Sequence, residues 1–137
     1  YSDKYVEQLH KLANNDPNII FTGHVEGEQL QELYSNAYLF VSPMKVKGLP
    51  LTVLEARSFG RCVVSSDIDQ TQKAYDYTIR FQNGNAADLS LVIEDLLGNK
   101  LKVAQPGRES RRYIHRNHSW KEVAERFEKI YNELAGR

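Results

Sequence analysis

Apolar positions along the chain switch several times between helical spacing and short unbroken runs, and each switch marks a change of element. Tyr5, Val6, Leu9, Leu12 and Ala13 recur at helical spacing, and Asn14, Asn15, Asp16 and Pro17 then stop the helix they predict. Residues 18–22 (NIIFT) read as a first strand closed by Gly23, and Leu30, Leu33 and Tyr34 mark a second helix. The run 38–41 (YLFV) is apolar throughout, as a strand buried on both faces of a parallel sheet requires. A third helix covers 51–59, with Gly60 where a left-handed cap is expected, and 62–65 (CVVS) is a third strand. A weaker strand over 78–82 leads to the turn Asn83, Gly84, Asn85. Leu89, Val92, Ile93, Leu96 and Leu97 form one face of a further helix ended by Gly98 and Asn99. The last helix carries Val123, Phe127, Ile130, Tyr131 and Leu134 behind a capping box of Ser119 and Glu122. Strands alternating with helices predict an α/β domain with a parallel sheet of about four strands.

Length fits that picture, because 137 residues with 41% hydrophobic and 26% charged positions suit one globular core. Lys plus Arg and Asp plus Glu both number 18, so no global field favours nucleic acid, and any anion site must be local. Cys62 has no partner for an internal disulfide and reads as a core thiol, and most of the tyrosines read as packing. No apolar run is long enough to span a membrane and no signal-peptide pattern opens the sequence, so a cytoplasmic chain is expected, with a peripheral position at the inner face of a membrane as a further option. His10, His24, His115 and His118 are scattered, which offers neither a zinc site nor a nucleophile triad, and no metal or other cofactor is expected. Residues 100–118 resemble a hinge in being polar and holding Pro106 and Gly107. Their Arg108, Arg111, Arg112 and Arg116 form either a contact for a phosphate or partner or the solvated face of a connecting helix, the reading charge runs usually deserve.

Chemistry is concentrated in residues 41–67, where a strand, a glycine and proline loop, a short helix and a second strand follow one another. Ligands of parallel α/β sheets sit where strands end and helices begin. Gly48, Leu49, Pro50, Leu51 and Thr52 form a helix start whose free N–H groups and dipole suit a diphosphate, with Gly48 permitting close approach and Pro50 suited to the first turn. Glu55 is a lone acid one turn further in. A carboxylate there can accept two hydroxyls of a ribose, or it is simply an exposed helix acid or a cap for a neighbouring loop.

The segments FTGHV, ELYSNAYLFVSP, KGLPLTVLEARSFGRCVVSSD and SWKEVAERFEKIY, in that order, resemble the C-terminal domain of GT-B glycosyltransferases of the retaining family four, also called group 1. The resemblance covers nearly the whole chain and implies a Rossmann-like sheet forming the C-terminal half of a GT-B fold. It implies that the chain binds the nucleotide part of a sugar nucleotide, while a separate N-terminal domain holds a glycan or lipid-linked acceptor. The sugar would pass to an acceptor hydroxyl with retention, in glycan or polysaccharide biosynthesis. By resemblance Glu55 holds the ribose, Gly48 to Thr52 hold the phosphates or sugar, and Gly23, His24 and Val25 meet the base through backbone atoms, His24 itself being a bystander.

Two departures qualify the resemblance. The family pairs a loop glutamate with the helix glutamate, and at the loop position this sequence has Lys47. A lysine cannot accept from sugar hydroxyls or stabilise developing oxocarbenium charge, and would attract phosphate instead. Lys47 therefore marks a divergent donor choice, an altered residue, or a non-catalytic binding or assembly domain derived from a transferase, unless it faces solvent. The family's opening strands, with a phosphate-binding Arg and Lys, also have no counterpart in residues 1–137, so a partial domain, inactive alone and prone to self-association along an exposed sheet edge, is expected. A phosphate-signalling module would need clustered aspartates at strand ends, and only Asp67 and Asp69 lie near one.

Overall fold

The computed structural model describes residues 3–44, 51–68 and 76–136, in which six helices and three strands form an α/β domain. They are α1 (Asp3–Ala13), α2 (Gly27–Asn36), β1 (Leu39–Ser42), α3 (Leu51–Ser58), β2 (Cys62–Ser66), β3 (Ile79–Phe81), α4 (Ala86–Leu97), α5 (Lys100–Asn117) and α6 (Trp120–Leu134). The strands pair in parallel in the order β1-β2-β3, with Leu39 opposite Cys62 and Val64 opposite Ile79. Parallel neighbours need a crossover, and α3 supplies it between β1 and β2.

Strand alternation divides the core into two layers. Phe40 and Val63 face one side of the sheet, where they pack with Tyr34, Val53, Ala56, Leu30 and Phe59. Leu39, Val41 and Val64 face the other, against Phe81, Leu96, Val92 and Val103. β2 is covered on both faces, so all five of its residues are buried. Cys62 is one of them, and burial pushes its thiol up to about 11.

Residues 18–22 do not form the expected strand. Asn14 and Asn15 take left-handed backbone conformations, and Asp16 accepts from the Asn18 backbone, which completes the expected break. Beyond it Ile19, Ile20 and Phe21 run unpaired and exposed, and Phe21 rests on the ring of His10. A strand exists only through its ladder, and among the described residues no strand lies beside this one. The sheet accordingly has three strands there rather than about four.

The polar stretch after residue 100 is a connecting helix and not a hinge. Asn99 caps it by accepting from the backbone of Leu101 and Lys102, and the helix continues past Pro106 because Gly107, Ser110 and Ile114 are buried against the domain. The cap of α6 is half the expected box: Ser119 accepts from the Glu122 backbone, whereas the Glu122 carboxylate takes Arg126. Two helices depart from expectation on their apolar faces. Neither α1 nor α6 has a buried residue, and Phe127, Ile130, Tyr131 and Leu134 are exposed. Periodicity specifies that a helix has an apolar side but not that something covers it. Tyr5, Tyr38, Tyr77 and Tyr131 are likewise exposed, and Tyr34 is the buried one among these.

Candidate functional site

The C-terminal ends of the three strands form one rim, tied together by short bonds. Ser66 at the end of β2 donates its hydroxyl to the Met44 carbonyl at 2.6 Å, which fixes the chain leaving β1. Asp67 accepts from the Asn83 backbone at 2.7 Å and donates its own N–H to the Phe81 carbonyl, which joins β2 to β3. Asp67 thus bridges β2 to β3.

On this rim α3 begins. Leu51 and Thr52 are exposed at its first turn, where backbone N–H groups have no intrahelical acceptor. Lys47, Gly48, Leu49 and Pro50 lie outside the described residues. One turn into α3, Glu55 is exposed while Val53, Ala56 and Arg57 are buried beneath it. The hydroxyl of Tyr34, from α2, donates to Glu55 Oε2 at 3.0 Å and lies 3.4 Å from the Thr52 carbonyl. Burial, and then the bond to Glu55, raise the Tyr34 phenol to about 12, so it is a committed donor at neutral pH. Among the described residues Tyr34 is the one side-chain partner of the carboxylate, which leaves acceptor capacity free. The sequence marked Tyr34 only as an apolar position. Its separation of 21 residues from Glu55 hides the pairing, and the sole available signal was that a buried tyrosine usually finds a polar partner.

Gly23, His24 and Val25 lie in the segment that leads into α2, the helix that carries Tyr34. Gly23 has φ +66°, a conformation that favours glycine although the space around it is open. The exposed His24 ring lies 3.4 Å from Glu26, consistent with a bystander. Val25 lines an open groove of about 850 Å³ together with Thr22, Leu30, Leu33, Tyr34 and Phe40. Tyr34 therefore links this groove to Glu55, although Glu55 itself does not line it.

Arg57, which the sequence did not single out, is fully buried behind α3. One nitrogen donates to the Asp76 carbonyl at 2.9 Å, and the guanidinium stacks 5.3 Å from the centre of the Tyr113 ring. Its Nε and Nη1 have no partner among the described residues. Burial lowers its pKa, opposed by Tyr113 and Asp76, so Arg57 binds the rear of α3 to α5 and to the entry of β3. Among the described residues no group of three or more His, Cys, Asp or Glu could hold a metal, and no helix is long and apolar enough to cross a membrane.

Comparison with known proteins agrees with this geometry. The family model described as Glycosyl transferases group 1 matches residues 2–99. The gpi3 subunit of phosphatidylinositol N-acetylglucosaminyltransferase from Schizosaccharomyces pombe is 25% identical over 134 residues, which are 94% of this chain and 28% of that protein. The alpha-galactosylglucosyldiacylglycerol synthase of Streptococcus pneumoniae is 35% identical over 68 residues, 50% of this chain and 18% of that one. Among solved structures, sucrose-phosphate synthase from Thermosynechococcus elongatus superposes with a TM-score of 0.84 at 21% identity, over 97% of this chain and 34% of its own. That likeness is one of fold. The chain spans about a third or less of each of these proteins.

Proposed function

Because the chain belongs to the glycosyl transferases group 1 family, we propose that it is the donor-binding part of a larger enzyme that transfers a sugar from a nucleoside diphosphate sugar to an acceptor hydroxyl with retention. The observation that carries this reading is the Tyr34 to Glu55 bond at 3.0 Å, beside the open start of α3. A carboxylate held by one donor and otherwise free suits the two hydroxyls of a ribose. The N–H groups of Leu51 and Thr52, one turn away, suit the phosphates, as those of Gly48 and Leu49 do by their sequence, with Pro50, which has no N–H, suited to the first turn. Departure of the nucleoside diphosphate would be eased by the helix start and by groups outside residues 1–137, followed by attack of the acceptor on the same face. Backbone atoms of Gly23, His24 and Val25 would meet the base. The names of the relatives above, which act on phosphatidylinositol and make a diacylglycerol glycolipid, support a lipid-linked acceptor held by a domain beyond this chain.

Titration calorimetry with uridine and guanosine diphosphates tests the reading without metal. Binding by the chain is expected to weaken about tenfold to a hundredfold in Glu55→Ala, the loss of one or two hydrogen bonds to a charged group. Undiminished binding by that variant would remove Glu55 from the ribose. A second reading, a non-catalytic assembly domain derived from a transferase, is favoured by Lys47, and a wild-type chain that binds neither nucleotide would select it.

A further inference from the structure

At the N-terminal end of the sheet, opposite the rim that carries Glu55, positive charge collects around two depressions. α5 crosses beneath the turn that leads into β2. Gly107 lies so close to Gly60 that a Cβ would collide with its carbonyl, and the stem of Arg111 packs where a Gly60 side chain would be. Arg61 sits in the middle, its guanidinium held by the carbonyls of Ala37 at 2.9 Å and Phe59 at 3.2 Å. It lines two adjoining depressions of about 450 and 360 Å³. Lys100 and Arg108 border the first, Arg111 and His115 the second, and no carboxylate lines either. Lys100, Arg108 and Arg111 are exposed and have no acidic partner among the described residues, whereas Lys102 on the same helix is spoken for by Asp95 at 2.7 Å. Arg112 and Arg116, exposed and one turn apart, lie further round the helix on the side of its one acid, Glu109. In a chain with equal numbers of acidic and basic residues, this surface is a concentration of charge rather than a share of a general excess.

We propose that this face is an electrostatic docking surface for the anionic headgroups of a lipid bilayer. Its form favours that partner over nucleic acid. The cations are spread along a helix and around shallow depressions, which suits a broad array of phosphates. Base stacking uses several free aromatic faces along a groove, whereas here Phe59 is packed against the core and Tyr38, a single half-exposed ring, is held at the edge of the first depression by its hydroxyl bond to the Leu96 carbonyl at 3.0 Å. Screening confines the field of this patch to about 8 Å at physiological salt, so it acts on an anionic surface held against it. Docking through this end leaves the opposite rim uncovered. The proposal stands on charge and geometry alone and holds whether or not Glu55 binds a ribose.

Co-sedimentation of the 137-residue chain with lipid vesicles tests it. Binding is expected to vesicles rich in phosphatidylglycerol, to be negligible with pure phosphatidylcholine, and to fade as salt is raised. Each surface cation contributes about fivefold, so K100Q/R108Q/R111Q should bind on the order of a hundredfold more weakly. The α6 pair K121Q/K129Q, whose exposed cations line neither depression and face Glu125 and Glu133, should change binding less than about twofold on the same scale. Circular dichroism checks that the variants fold, and Arg108→Glu, a single exposed change, carries the test if the triple variant does not. The proposal is overturned by wild-type binding that ignores headgroup charge, by no binding to anionic vesicles, by retained binding in the folded variants, or by short RNA that binds the chain more tightly than anionic vesicles do at the same salt.

Discussion

Tyr34 shows how one residue can serve the core and the site together. Its ring is buried and stacks 5.5 Å from Phe59, while its hydroxyl leaves the core to hold Glu55. Tyr34→Phe keeps the packing and removes the donor, and should cost about 1 kcal/mol of stability. The phenol also sets a pH dependence together with Cys62. Both groups have native values above their ordinary ones, Tyr34 moving from 10.0 to about 12 and Cys62 from 9.0 to about 11. The native state therefore keeps protons that the unfolded chain has already released. Stability from these two groups is complete below about pH 9 and declines as pH climbs towards 12. Urea midpoints at mildly and strongly alkaline pH measure this, and Cys62→Ala should shrink the decline. An unchanged midpoint across that range would contradict the buried, protonated thiol and phenol.

At the scale of elements, α5 depends on the absence of a side chain. Gly107 allows the helix to touch the backbone of Gly60 and Cys62, so Gly107→Ala forces the helix away from β2. Destabilisation of about 1–3 kcal/mol is expected, as for an overpacked core. Gly98→Ala is the matched control, since Gly98 has φ −77° and its Cβ would meet only ordinary contacts at 3.8 Å. Equal melting temperatures for the two variants would refute the close crossing. The same element shows what was legible in the sequence. Residues 100–118 could be read as hinge or helix, because the buried side of α5 is made of Gly107, Ser110 and Ile114, which give almost no hydrophobic period. The strands at 39–42, 62–66 and 79–81 were legible within a residue or two at each end, because a β-rich run between turn residues is a local signal. Residues 18–22 carry the same signal and form no strand, because pairing is decided elsewhere.

The molecule as a whole leaves apolar surface uncovered. α1 and α6 bury no residue, with Leu12 and Leu134 each 81% exposed, and β1 pairs on one side only among the described residues. Such faces, together with an open parallel edge, favour association between chains. Sedimentation velocity should therefore show a weight-average mass that rises with concentration. A constant monomer mass across the soluble range would mean that these faces are tolerated in water.

Several properties follow from the chain read alone. The alternation of strands and helices, the Gly60 turn at φ +71°, the Ser119 cap and the placing of Glu55 one turn into a helix all depend on neighbours a few residues away. The folded molecule decided the rest, since it depends on residues distant in sequence. It joined Tyr34 to Glu55, buried Arg57 against Tyr113, left residues 18–22 without a ladder, and brought Arg61 beside Lys100, Arg108 and Arg111. Periodicity tells each element which of its sides is apolar, but only the packed chain determines which sides meet and which remain in water.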